Sequence, residues 1–276
     1  MTNPTIPTVT LNNGVTMPQL GFGVFQVPDE ETEAAVSAAL EAGYRSIDTA
    51  TIYGNERSVG RAIAASGVPR EELFLTTKLW NSDHERAVEA YDASVERLGM
   101  EADLYLIHWP TPGRDLYLRA WEGLERLYAD KRVRAIGVSN FLPEHLDRVV
   151  SQRGIVPAVN QIEVHPLLQQ RDIQAADTRL GVATEAWSPL AKGGALLAEE
   201  AVTAIAERLG RTPAQVVIRW HLQQDRIVIP KTVTPARMAE NLDVFDFDLT
   251  ADDLAALDAL EDGTRTGPDP ATFNGA

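Results

Sequence analysis

Four side chains able to move protons stand out in the first half of the sequence: Asp48, Tyr53, Lys78 and His108. Asp48 closes a short apolar run, residues 44–47, and Tyr53 follows five residues later, just before a helix-like pattern over 57–65. That spacing sets a carboxylate and a phenol in one loop at the mouth of an α/β sheet. Alone, such a pair is more often a capped turn and a packing ring, because short motifs match by chance. An ammonium and an imidazole at the same mouth would make it an acid–base cluster, so the question passes to the elements that must position them.

The chain opens on a predicted hairpin over residues 8–18, with Asn12, Asn13 and Gly14 as turn chemistry. A short strand at 19–23 and a helix at 29–42 follow, the helix starting on acids that suit its positive end and stopping at Gly43. The strand-then-helix unit then recurs. Strands are predicted at 45–48, 73–77, 104–107, 133–138, 158–162, 182–186 and 227–229. The helices after them are predicted from 56, and over 84–98, 116–129, 143–150, 170–180, 199–209 and 236–244. Two more helices, 213–223 and 251–260, are marked by the N-caps Thr212 and Thr250, with Pro213 at a favoured first position. The tail from 262 to 276 reads as loop.

Eight short apolar strands alternating with helices, without a composition break, predict one parallel α/β domain spanning 1–276. A closed (β/α)8 TIM barrel with an N-terminal β-hairpin and extra C-terminal helices is the natural solution. The rival is a doubly wound sheet. Against it, Gly21 and Gly23 are followed by Val24, Phe25 and Gln26, so the Gly-rich dinucleotide fingerprint is absent.

In a barrel, the C-terminal ends of strands converge on one face. Those ends carry Asp48 with Tyr53, then Lys78 and Trp80, then His108 and Trp109. Further on come Ser139 and Asn140, Gln161 and Glu163, Trp187 and Ser188, and Lys231 with Thr232. Each has an ordinary explanation, as a solvated strand end, a packing histidine or a core indole. All of them falling on one end by accident is a much weaker explanation.

Composition narrows the classes. The 276 residues carry a net charge of −15, which repels nucleic acid and anionic membranes. With no cysteine there is no disulfide framework, thiolate metal site or cysteine nucleophile. The histidines show no metal-ligand spacing, and no metal is expected. The N-terminus lacks a signal-peptide pattern and no apolar run is long enough to span a membrane, so a cytoplasmic protein is expected. No long apolar helix face demands a partner, and a monomer is expected.

At this point the residues resemble a family, the aldo-keto reductases, along essentially the whole chain. The motifs are 43–50 (Gly-Tyr-Arg-Ser-Ile-Asp-Thr-Ala) with 53–56 (Tyr-Gly-Asn-Glu), 77–80 (Thr-Lys-Leu-Trp), 104–110 (Leu-Tyr-Leu-Ile-His-Trp-Pro) and 136–140 (Ile-Gly-Val-Ser-Asn). To these are added 159–165 (Val-Asn-Gln-Ile-Glu-Val-His) and 229–241, from Ile-Pro-Lys-Thr-Val through to Glu-Asn. Within the family the chain is most similar to bacterial 2,5-diketo-D-gluconic acid reductase-like members, sharing 212–215 and 241–249 with them.

The resemblance implies NADPH-linked reduction of aldehydes or ketones, keto sugars and diketones among them, to alcohols. Tyr53 would be the proton donor. A free phenol holds its proton to about pH 10, and Lys78 beside it is expected to lower that value. Asp48 would fix Lys78, and His108 would orient the carbonyl oxygen, where charge develops. For the cofactor, Ser139, Asn140 and Gln161 would hold the carboxamide and Trp187 would stack on the nicotinamide. Ser188 and Leu190 would lead into a loop over the pyrophosphate. At the adenosine end the resemblance points to Lys231, Thr232, Val233 and Thr234, then to Arg237, Glu240 and Asn241. Two cations there suit a 2′-phosphate, although Thr234 stands where another arginine is expected. Phe25, Trp80 and Trp109 would wall the substrate pocket, and short loops at 111–115 and 192–197 imply an open mouth. The alternative within the same fold is a non-catalytic NADP-binding regulatory subunit, which would be marked by loss of one of the four proton-moving residues. A barrel isomerase or hydrolase would need metal ligands or paired carboxylates, and Glu163 shows no obvious partner in the sequence.

Overall fold

The computed structural model describes residues 6–275. Strands β1 (Thr8–Thr10) and β2 (Thr16–Pro18) form an antiparallel hairpin with Val9 opposite Met17. Gly14 takes φ 84° at its turn, where Asn13 Oδ1 accepts from the Val15 amide.

Eight parallel strands follow in sequential spatial order: β3 (Phe22–Gly23), β4 (Ser46–Asp48), β5 (Phe74–Leu79), β6 (Leu104–Ile107), β7 (Ala135–Ser139), β8 (Val159–Glu163), β9 (Ala183–Trp187) and β10 (Ile227–Val228). The first and last meet. Leu20 bridges Val228 in parallel, the Gly21 amide donates to Val228 O at 2.8 Å, and the Val228 amide donates to Gln19 O at 2.9 Å. The sheet is therefore a closed (β/α)8 barrel, a solution that leaves no edge strand unpaired.

The helices surround it. Asp29–Ala42 stops where expected, at Gly43 with φ 114°, whose amide returns to Ala39 O and Leu40 O. Thr212 and Thr250 cap Pro213–Leu222 and Ala251–Asp258, each with a reciprocal bond from the third helical residue (Gln215 and Asp253). Such caps typically contribute about 1 kcal/mol each. Two elements differ from expectation. The helix predicted from 84 starts at Ala87, because Asn81–Arg86 winds as 3₁₀ and Arg86 (φ −135°, ψ 46°) breaks the run. Ala87 is pinned by close approach to Gly123, where a Cβ would sit 2.6 Å from Ala87 Cβ. The strand predicted over 73–77 instead runs to Leu79, paired with Ile107, so Lys78 lies inside a strand and not after one. One short helix, Ala195–Ala198, has no counterpart in the sequence reading.

The barrel interior changes character along its axis. At the N-terminal end of the strands, Leu104, Leu106, Val159 and Ile227 pack with Leu11 and Met17 of the hairpin. Met17 is fully buried, a contribution on the order of 1.5–3 kcal/mol for such a side chain. At the other end the interior holds Asp48, Lys78, Gln161 and Glu185, all buried. Among the described residues, no helix is long and apolar enough to cross a membrane.

Candidate active site

Tyr53 is held by its local chain. It ends a 3₁₀ turn, Thr51–Tyr53, with its amide on Ala50 O, and Gly54 closes the turn at φ 72°. Asn55 fastens this loop to the first strand's exit: its Nδ2 donates to Val24 O and Val27 O, and its Oδ1 accepts from Thr49 Oγ1. The next residue, Glu56, is buried and accepts from Thr77 Oγ1 and from Arg97 Nε, both at 2.6 Å. The sequence reading quoted Asn55 and Glu56 as motif and gave them no role. Asn55 anchors the tyrosine loop to the chain leaving β3, and Glu56 anchors it to β5, the strand that carries Lys78.

The four proton-moving residues do come together. Lys78 Nζ donates to Asp48 Oδ1 at 2.6 Å and to Thr49 O at 2.9 Å, and lies 3.4 Å from Tyr53 Oη. Burial alone would push the ammonium towards neutrality, but Asp48 and Tyr53 outweigh it and hold Lys78 above its ordinary value. The rings of Tyr53 and His108 meet edge-on at 5.7 Å. Burial, then the charge of Lys78, drive His108 far below the usual imidazole range, so it is neutral; its Nδ1 has no hydrogen-bond partner. Tyr53 corrects one expectation. Burial pushes its hydroxyl up to about 12 against the lowering pull of Lys78, and Asp48 adds to the rise. The phenol is thus firmly protonated near neutrality, the state of an acid and not of a base.

Around this group lie the other predicted residues. Phe25 stacks at a tilt on Tyr53 with centroids 5.0 Å apart, and Trp80 meets His108 edge-on at 5.2 Å. Ser139 Oγ donates to Gln161 O, and Asn140 Nδ2 donates to both Ser139 Oγ and His108 O. Asn140 (φ 64°) and Ser188 (φ 47°) adopt left-handed backbone at the mouth, and Trp187 Nε1 donates to Asn140 Oδ1 at 2.9 Å. Strained non-glycine backbone of this kind persists only where surrounding contacts fix it. Leu190 is half-buried among the helices after β9. Thr232 and Asn241 are buried, whereas Lys231, Val233, Thr234 and Arg237 are exposed. Neither Lys231 nor Arg237 forms an ion pair with the described residues. Glu240 is already engaged, accepting from the cap hydroxyl of Thr212 at 2.7 Å.

Two further residues were not singled out for a role. Glu163 has partners after all: it accepts from His165 Nε2 at 3.1 Å, from Thr266 N and Oγ1 at 2.6 Å, and from the Gly267 amide. Burial alone would push its pKa up, but these bonds outweigh it and hold the carboxyl below the usual carboxylate range. It thereby fastens the C-terminal tail across the mouth. Lys192 Nζ donates to Thr266 O, Phe273 packs on Trp109 at 4.5 Å, and Asn81 Nδ2 reaches Gly275 O. The mouth is more covered than loop lengths implied. The second residue is Glu185, a fully buried acid in β9; an acid in the middle of a predicted barrel strand is the signal for it.

A model of the Aldo/keto reductase family matches residues 19–262. An aldo-keto reductase of Mycolicibacterium smegmatis is 56% identical over 271 residues, covering 97% of this chain and 98% of its own. Methylglyoxal reductase DkgA of Escherichia coli K12 is 49% identical over 277 residues, covering all of both chains. Among solved structures, a Gox0644 mutant in complex with NADPH superposes with a TM-score of 0.93 at 46% identity, covering 98% of this chain and 99% of that one. The chain belongs to the aldo/keto reductase family. It is, with that family, an NADP-dependent oxidoreductase whose general chemistry is carbonyl reduction.

Proposed function

We propose that the chain, as one barrel domain, reduces small aldehydes and ketones with NADPH and that Tyr53 delivers the proton. The observation that carries this reading is the buried Asp48–Lys78 pair, with the Tyr53 hydroxyl 3.4 Å from Nζ and the neutral His108 ring beside it.

NADPH, when bound, supplies the hydride. The residues present fit it. Asn140 and Gln161 present fixed amides at the mouth, and Trp187 is oriented by its bond to Asn140. Lys231 and Arg237, which form no ion pair among the described residues, are cations on an acidic chain, suited to a phosphate, so NADPH is favoured over NADH. For the substrate, Tyr53 holds its proton firmly until negative charge grows on the carbonyl oxygen. Lys78 then stabilises the phenolate left behind, and Asp48 keeps Lys78 charged and in place. Neutral His108 can donate a hydrogen bond to the same oxygen without competing as an acid. The resemblance in full length to a methylglyoxal reductase makes small dicarbonyls the first substrates to try, with keto sugars and diketones next.

The test is NADPH consumption against a panel of aldehydes, dicarbonyls, keto sugars and keto acids. Tyr53→Phe should bind NADPH normally and lose reduction by roughly 10²- to 10⁴-fold, the range for a general acid. Near-normal turnover in that variant would sink the role.

A further inference from the structure

The charged layer contains one carboxyl more than its cation can satisfy. Glu185 pairs in register with Gln161 on one side and Ile227 on the other, and its side chain is fully buried. Gln161 Nε2 donates to Asp48 Oδ2 and to Glu185 Oε2, each at 2.8 Å. Glu185 Oε1 is buried without a partner. Lys78, the only ammonium in the layer among the described residues, is taken up by Asp48, Thr49 O and Tyr53. Two carboxylates around one buried cation cannot both stay ionised at low cost.

We propose that Glu185 is a positioning residue for the proton-donor system, acting on Tyr53 through Gln161 and the Asp48–Lys78 pair. This rests on Tyr53 as the proton donor. As a neutral acid it still accepts from Gln161, so both hydrogens of that amide are directed at carboxyl groups and Gln161 Oε1 is turned away from them. Once ionised, it adds a second negative charge behind Lys78 and makes it harder for Tyr53 to lose its proton.

The facing groups set the pH at which this happens. Asp48 from β4, Lys78 from β5, Gln161 from β8 and Tyr53 from the turn after β4 surround the carboxyl, while β10 offers aliphatic Ile227. Burial first, then the charge of Asp48, push Glu185 up to about 8, against the lowering effects of Gln161 and Lys78.

The sign is opposite to that of a structural lesion. Reduction and oxidation pass through one transition state in which negative charge grows on the Tyr53 oxygen, so Glu185 ionisation slows both directions by the same factor. Alcohol oxidation with NADP+ uses the phenolate, whose fraction should rise steadily with pH below the Tyr53 value. In the wild type that rise should bend near pH 8, where Glu185 ionises and restrains it. In Glu185→Gln the bend should vanish. In both directions the variant should match the wild type below about pH 7 and exceed it by up to roughly 3-fold at about pH 9.5, the effect of half a pKa unit on Tyr53.

The experiment is kcat/KM for both directions from pH 6 to 10 in the wild type and Glu185→Gln, with NADPH affinity measured alongside. An oxidation profile with no bend near pH 8 in the wild type overturns the inference without any variant. So do superimposable profiles for the two proteins, or a loss in the variant that is the same at every pH. Tyr53→Phe runs in the same series: if it keeps reduction, the proton-donor reading fails; if it is inactive while the bend is missing, only the role of Glu185 fails.

Discussion

The two ends of the barrel are built from the same strands and obey opposite rules. At the N-terminal end, Leu104, Leu106, Val159 and Ile227 close on Met17 and Leu11, and the hairpin seals a dry, apolar floor. Towards the other end, the same sheet holds Asp48, Lys78, Gln161 and Glu185 out of water. Apolar burial is non-directional and tolerant, whereas buried charges are stable only as a complete set of partners. The floor therefore confers stability that any similar volume could supply, and the charged layer confers chemistry that depends on every member.

Substitutions at the two ends can break that contrast. Lys78→Met should have the largest effect, because it leaves Asp48 buried without its cation. Unfolding in denaturant should show a loss of about 3–5 kcal/mol, and reduction should disappear with it. If the variant is as stable as the wild type, the charged layer is not interdependent. Met17→Ala should cost about 2–5 kcal/mol through the cavity it leaves, while KM and kcat at a temperature where the protein is folded stay unchanged. A change in KM there would mean that the floor speaks to the mouth. Arg237→Ala sharpens the comparison from outside the barrel: KM for NADPH should rise roughly 10-fold, the scale of one charge-assisted contact, with KM for NADH and stability unaltered.

What could be read in advance follows the same division. Local signals were legible: the helix Asp29–Ala42 and the strand Leu104–Ile107 fall where their caps and apolar runs put them. Lys78 looked like a strand end because charge in a strand usually marks solvent; here it is buried against Asp48. Two of the donors to Glu163, Thr266 and Gly267, could not be read from its motif because they lie 103 and 104 residues away in the tail. The Tyr53 hydroxyl was expected to be acidified by its neighbour Lys78, a pairwise effect visible in the motif, but burial is a property of the assembled mouth and it dominates. Glu185 was passed over in its strand for the same reason: only the register with Gln161 reveals what it faces.

The seam between Leu20 and Val228 joins opposite ends of the polypeptide. While the chain is being synthesised, every intermediate that stops short of β10 exposes two raw sheet margins, one on β3 and one on the last strand made. Strand margins of that kind recruit other chains, and contacts so distant in sequence form late and slowly. The nascent protein must therefore survive an open, association-prone stage until its last strand emerges, and the ring that makes the finished molecule so well protected is also what makes its biogenesis depend on completing the chain.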